Sequence, residues 1–465
     1  MSTPSGCYRR ASRLLLSLTE SPVFASRRSV LTTQTRGYAK QKPAAKAKAA
    51  SSWNKSSQAA RGEPSEDGEQ AAAKRKRLTA FLPMPAAQLT HSLFESDRPD
   101  RLQLQNFHPE IITPAVASQA LKFPHNEKDP FRIFGLPRNL LVEFRILSKP
   151  CSVVRGVSID VINRLDAASQ TSSADHRLVL SGATGCGKST LLLQALQYCN
   201  ASDWIVFYFP RAINLVNSTT TYTYDPRTRT YLQPVFAYQT LQRFLTVNER
   251  RLEQLRTQAD VELERRATIP SGTMLSELVK AGVKEQALAP TILMALMDEL
   301  EKQTTFPVLL AVDDFQAIYC RSTYRDPHFS AIQPYHLSLP RLLLEYASGQ
   351  RKFARGAVLG ALSTTNTNFK LPLELADALG LPHVSYGGPY AKRSPVLQGY
   401  AKGLERVAVP DALTVQEAME VFDVWRKDRA LPSVPNDELF MTKYSESSGN
   451  ARDFVWKGLL SSLSL

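Results

Sequence analysis

Gly182-Ala183-Thr184-Gly185-Cys186-Gly187-Lys188-Ser189 is the stretch that decides how this chain folds. It meets the phosphate-loop pattern G-x-x-x-x-G-K-[ST] at every defined position. The preceding residues, Arg177-Leu178-Val179-Leu180-Ser181, form the apolar run of a short buried strand, and 189–198 (STLLLQALQY) have the composition of a helix. A glycine-rich turn between strand and helix lets backbone N–H groups close around phosphate oxygens. The helix N-terminus adds the positive end of its dipole. Gly182, Ala183, Thr184, Gly185, Cys186, Gly187, Lys188, Ser189 and Thr190 are therefore candidate nucleotide-binding residues. Lys188 would reach the β/γ-phosphates, and the Ser189 hydroxyl would ligate Mg²⁺.

Outward from the loop, Trp204-Ile205-Val206-Phe207-Tyr208-Phe209 reads as a second buried strand. A third covers 307–312 and ends in Asp313-Asp314; a fourth covers 356–362 and ends in Ser363-Thr364. Helices are expected at 153–165, 238–266, 289–303 and 339–348, with 210–270 an insertion that turns at Tyr224-Asp225-Pro226-Arg227. Strands alternating with helices imply a parallel three-layer α/β sheet of the P-loop NTPase kind. Ligands then bind at the carboxyl ends of the strands. After Pro410 the pattern becomes helical. Thr414-Val415-Gln416-Glu417 is a capping box opening a helix to about 429, and 436–447 and 450–463 follow as helices. The expected division is a nucleotide-binding domain at 151–410 and a small all-α lid at 411–465. The proline-punctuated 81–150 is expected to be an extended arm.

The polar strand ends supply the other parts of a nucleotide site. Asp313 closes a buried strand, where a carboxylate accepts Mg²⁺ waters beside the loop serine. Ser189 and Asp313 are thus the candidate metal residues. ATPases of this architecture usually carry next a glutamate that orients the attacking water. Asp314 stands there, one methylene shorter, so slow or absent hydrolysis is expected and Asp314 is the sole catalytic candidate. Ser363 and Thr364 occupy the place of a γ-phosphate sensor. Gly449-Asn450-Ala451-Arg452 resembles the motif with which AAA+ lids set an arginine over the phosphates, making Arg452 a further nucleotide-binding candidate. Asn-Lys-x-Asp, the guanine code of small GTPases, is missing from the sequence.

The net charge of +14 over 465 residues is unevenly spread. Residues 1–38 hold six arginines and one acid, and 39–80 hold ten basic residues and four acids, which leaves only +3 for 81–465. The body therefore does not require a broad nucleic-acid face. The arginine-rich, serine-rich start with its leucine cluster has the composition of a mitochondrial transit peptide, with a cleavage signal at Arg36-Gly37-Tyr38-Ala39. Residues 39–80, with the basic cluster Lys74-Arg75-Lys76-Arg77, carry too little apolar surface to order themselves. The five cysteines and seven histidines show no zinc spacing or disulfide framework. No apolar run approaches the ~20 residues of a membrane span.

With these motifs placed, the chain closely resembles the family of mitochondrial small-subunit ribosomal proteins known as death-associated protein three. The stretches that carry the likeness include LSGATGCGKSTLLLQAL, WIVFYFPRAINLVN, YDPRTRTYLQP, VDDFQAIYCRSTYRDPHF, LSLPRLLLEYASG, FARGAVLGALSTTN and NDELFMTKYSESSGNARDFVWKGLL, within about 130–465. The resemblance implies an AAA+-like fold in the head of the mitochondrial small ribosomal subunit, in the matrix. It also implies a bound guanine nucleotide, GTP or GDP, with Lys188, Ser189 and Asp313 at the family's phosphate and magnesium positions; ATP with Mg²⁺ is the other purine the loop admits. Partners would be small-subunit ribosomal proteins, with rRNA touched mainly by the tail and edges. The rival reading is an active AAA+ or switch NTPase, or an apoptosis-linked GTP-binding factor acting off the ribosome. A ring-forming motor should carry the missing glutamate and an arginine finger. Arg321 and Arg325 are candidates for such a finger, but a homo-oligomeric ring is not expected.

Overall fold

The computed structural model describes residues 102–463 apart from 125, 127, 264–267, 383–390 and 432–434. The expected transit segment 1–38, the segment 39–80 with its basic cluster, and the start of the arm lie outside the described residues.

Five strands form one parallel sheet: β1 (Arg177–Ser181), β2 (Ile205–Phe209), β3 (Val308–Asp313), β4 (Gly356–Ala361) and β5 (Glu405–Ala408). Their order across the sheet is β5-β1-β4-β3-β2. The first four are the strands expected from the sequence. They are near-continuous apolar runs because a parallel sheet is covered on both faces. Successive side chains point to opposite faces. Val179, Phe207, Leu310 and Val358 enter one core cluster, while Leu180, Val206, Leu309 and Leu359 enter the other. Small residues in β4 let a ring lie flat on the sheet. A Cβ at Gly360 would stand 2.7 Å from Cγ of Phe315.

Helices α1 (Pro130–Phe134), α2 (Arg138–Ile146), α3 (Gly156–Ala168) and α4 (Lys188–Ala201) cover one face. Helices α5 (Pro234–Leu252), α6 (Leu275–Lys284), α7 (Ala289–Lys302) and α8 (Ser338–Ser348) cover the other. Three sequence expectations need correction. The helix expected at 153–165 starts only at Gly156, because Cys151–Val153 is a short strand paired antiparallel with Ala120–Lys122. The helix expected to reach 266 stops at Leu252, and Val261–Glu262 pairs with Thr268–Ile269 instead. The arm is more than a surface wrap: Phe107, Phe131 and Phe134 are fully buried in the sheet's second core.

The C-terminal helices are α9 (Val415–Lys427), α10 (Asp437–Glu446) and α11 (Ala451–Asp453). The expected capping box is present: Glu417 N–H donates to Thr414 Oγ1 at 3.2 Å, and Thr414 N–H donates to Glu417 Oε2 at 2.9 Å. The last expected helix is regular only through Asp453 and then widens into a π turn at Phe454–Leu459. These helices do not fold around a core of their own. Phe422, Trp425, Phe440 and Phe454 share a cluster with Leu102, Ala120, Ile146 and Leu147 of the arm. Ser148 donates from both its N–H and its hydroxyl to Asp428, at 2.7 and 2.6 Å. No helix among the described residues is long and apolar enough to cross a membrane.

Candidate nucleotide site

The glycine-rich loop leaves the carboxyl end of β1 and runs into α4, with Gly187 in the left-handed region as the helix N-cap. Lys188 folds back over it. Its Nζ donates to the carbonyls of Gly182 at 2.9 Å and Ala183 at 2.6 Å, and the side chain is buried. The loop is then clasped from the C-terminal helices. Asn450 Nδ2 donates to the Thr184 carbonyl at 2.9 Å, and Arg452 N–H donates to the Gly185 carbonyl at 3.0 Å. Glycine is required at 185 on two counts. Its φ is +84°, and a Cβ would fall 2.5 Å from Asn450 Oδ1.

The cavity beside the loop measures about 510 Å³, inside the usual range for ligand pockets. Thr184, Gly185, Cys186, Gly187, Lys188, Ser189 and Thr190 line it, with Asp313, Asp314, Ser363, Thr364 and Arg452. Gly182 and Ala183 are not on its walls. The Ala183 amide is taken by Asp411 Oδ1 at 2.7 Å, so this N–H is engaged within the protein. Arg321 and Arg325 lie away from the cavity, whose lining includes neither. Beyond the loop, the walls become the arm (Leu140, Glu143, Phe144) and the C-terminal helices (Val421, Trp425, Val455).

At the carboxyl end of β3 the electrostatics are tense. Burial first, and the neighbouring Asp314 second, raise Asp313 to about 7; a hydrogen bond from Ser189 and the charge of Lys188 act the other way. Asp314 is also raised by burial, against a hydrogen bond from Ser363 and the charge of Arg211. Its backbone is left-handed at φ +56°, a conformation a non-glycine residue keeps only when its surroundings impose it. The Tyr208 hydroxyl, buried next to this pair, has no hydrogen-bond partner among the described residues. The Ser363 turn is fixed by Gln316, which accepts from Ser363 N–H at 2.9 Å and donates to Ser363 O at 2.6 Å. Thr364 and Thr184 share a hydrogen bond between their hydroxyls.

Sequence reading missed the residue that ties these parts together. Arg155, at the N-cap of α3, donates through Nη1 to the Cys186 carbonyl at 2.8 Å and through Nη2 to the Ala412 carbonyl at 2.9 Å. Its Nε meets Glu417 Oε2 at 3.2 Å, both side chains being almost fully buried. Arg155 has no motif around it, and its partners lie up to 262 residues away. Glu417 was visible as a helix cap, but not as this arginine's counter-charge. Glu143 was also missed. Burial raises it to about 7, although Trp456 Nε1 donates to it at 2.6 Å.

Fold and site together define a parallel α/β domain whose glycine-rich loop is clasped by a helical C-terminal segment. Residues 152–456 match the family described as mitochondrial ribosomal death-associated protein 3, and the chain belongs to that family. Its relatives include the small ribosomal subunit protein mS29 of Neurospora crassa, 28% identical over 319 residues, 66% of each chain. The mS29 of Schizosaccharomyces pombe is 26% identical over 310 residues, 65% of this chain and 64% of that one. The mS29 of Bos taurus is 28% identical over 278 residues, 57% of this chain and 66% of its own. The matches thus span just under two thirds of the length of these relatives.

Proposed function

We propose that the chain is a structural constituent of the mitochondrial small ribosomal subunit. We further propose that it holds a purine nucleotide with Mg²⁺ as a fixed part of its fold, with negligible turnover. Family membership and the mS29 relatives support the first part. One observation carries the second: Lys188, Ser189, Asp313 and Arg452 surround a single cavity at the carboxyl ends of β1, β3 and β4. The residues present fit the cation. Among the described residues no group of three or more metal-type side chains gathers, but Mg²⁺ beside a nucleotide needs only one or two protein ligands, the rest being phosphate and water. Ser189 and Asp313 are already hydrogen-bonded to each other, and the unpartnered Tyr208 hydroxyl adds polar character behind them. The loop amides and Lys188 would hold the phosphates. The ring would occupy the part of the cavity between arm and C-terminal helices. The family resemblance favours GTP or GDP, and ATP fits the same loop.

Negligible turnover rests on Asp314. Its carboxylate is engaged by Ser363 and faces Arg211 Nε at 3.9 Å, and its short side chain sits on a constrained backbone. An active switch NTPase acting off the ribosome is therefore not favoured. A multiple-turnover assay tests this: phosphate release on the order of 1 s⁻¹, typical of competent enzymes, and its loss in Asp314→Ala would reverse the reading. Import with removal of 1–38 belongs to the same proposal and is tested by sequencing the N-terminus of the mitochondrial protein. Docking should be mainly to ribosomal proteins, since 81–465 carries only +3. Release from small subunits at moderate salt, with crosslinks chiefly to rRNA, would contradict it.

A further inference from the structure

Two of the stretches that carry the family likeness, at 224–234 and 312–329, contribute only Asp313 and Asp314 to the cavity. The rest of them meet elsewhere. Thr223–Asp225 and Thr230–Leu232 form an antiparallel hairpin. It lies against the 320–331 loop: the Tyr222 ring packs edge-on to Tyr324 at 5.2 Å, and the Tyr222 hydroxyl donates to the Arg325 carbonyl. On this joined surface Phe329 is 83% exposed and Tyr224 52%. Arg227, Arg229 and Arg325 are exposed on the same turns, Arg325 donating from Nη1 to the Phe329 carbonyl at 3.3 Å. The acids of the same turns are engaged by the chain itself. Asp225 accepts from Arg227 N–H at 3.0 Å and Thr228 Oγ1 at 2.9 Å. Asp326 accepts from His328 N–H at 2.9 Å and Ser330 N–H at 2.7 Å. Phe329 and Arg229 stand at φ +60° and +52°, and for a bulky residue that is a rare conformation.

We propose that the juxtaposition of Arg227, Arg229 and Arg325 with Tyr224 and Phe329 is a binding surface for a single-stranded RNA segment. Guanidinium forks pair with phosphates, and exposed rings give unpaired bases a face to stack on. A protein-docking core is depleted of charge. Here three exposed guanidiniums accompany two exposed rings, a composition that suits phosphates and unpaired bases better than an apolar docking core. The surface supplies an edge contact to RNA that the near-neutral body as a whole does not.

The test is fluorescence anisotropy of the full chain with a labelled uridine 20-mer across a salt series. It reads RNA binding on the isolated chain, so its outcome is independent of nucleotide in the cavity and of ribosomal placement. The basic N-terminal tail is common to all variants, and UV crosslinks of the bound RNA to 224–229 and 329 distinguish this surface from the tail. Arg227→Gln with Arg229→Gln should lower the log–log salt slope by about 1.4, at ~0.7 per single-strand phosphate contact. Phe329→Ala should weaken binding by roughly 5- to 150-fold, the value of one stacked base. All three substitutions are at exposed positions, so folding should be kept, and an unchanged melting temperature checks it. An unchanged slope with unchanged affinity overturns the proposal. So does retained RNA affinity with lost crosslinks to ribosomal proteins at 222–232, which would make this a protein-docking face.

Discussion

The glycine-rich loop and the hairpin surface at 222–232 are built from similar polar groups, and they are handled in opposite ways. At the loop the basic groups that hold it are buried and partnered inside the chain: Lys188 by loop carbonyls, Arg155 by Glu417 and the Cys186 carbonyl. On the hairpin surface the acids are locked in their own turns, and Arg227 and Arg229 are left in solvent. A buried charge is tolerated only with a partner, so the loop region is a constrained scaffold whose partners are specified by the fold. An exposed guanidinium costs little to leave unpaired, so the hairpin can wait for a partner from outside. The two regions should therefore respond very differently to substitution.

The largest effect is expected at Arg155. Arg155→Met strands Glu417 in a buried position and releases the Cys186 and Ala412 carbonyls. Breaking one side of a buried pair typically costs about 3–5 kcal/mol, read by urea denaturation. A loss under 1 kcal/mol would mean that the loop and C-terminal helices are held by other contacts. Glu143 comes next. Its folded pKa of about 7 lies above its ordinary value of 4.5, so the native state binds the proton more tightly than the unfolded chain. The associated stability is complete below 4.5 and is lost as pH rises through about 7. Glu143→Gln keeps an acceptor for Trp456 and removes the charge. It should be more stable than the parent at pH 8, by on the order of 2–3 kcal/mol, and the difference should vanish near pH 4. Equal pH profiles would refute it.

Lys188→Ala follows. A ligand bound only by the folded state at ~100 times its Kd adds ~2.7 kcal/mol, and this variant should lose that gain in a thermal shift with GDP or ATP and Mg²⁺. The smallest effect belongs to the other region: Arg227→Gln should change stability by no more than about 0.5 kcal/mol, as exposed sites do. A larger loss there would erase the contrast between the two regions.

Much of this was legible in the sequence, for physical reasons. Strands β1 to β4 announced themselves, the edge strand β2 included, because burial on both faces demands unbroken apolar runs. β5 did not: at the sheet edge only Val407 of its four residues is buried, so Glu405-Arg406-Val407-Ala408 carries no run to read. The loop, Asp313 and the Gly449–Arg452 motif were readable because their chemistry fixes local spacing. Arg155, Asp411 and Glu143 were not, since each acts across a fold contact with no local pattern. The turn of the hairpin was readable at Tyr224-Asp225-Pro226-Arg227, but not its joining to the 320–331 loop, which has no local pattern and shows only in the packing of Tyr222 on Tyr324.

The most direct test of the central claim is the nucleotide carried by the protein in small ribosomal subunits purified from mitochondria, released by denaturation and quantified by ion-pair chromatography. Close to one purine nucleotide per copy is expected, persisting through gel filtration and absent from subunits carrying Lys188→Ala. Subunits that contain the protein but no stoichiometric nucleotide would contradict the claim.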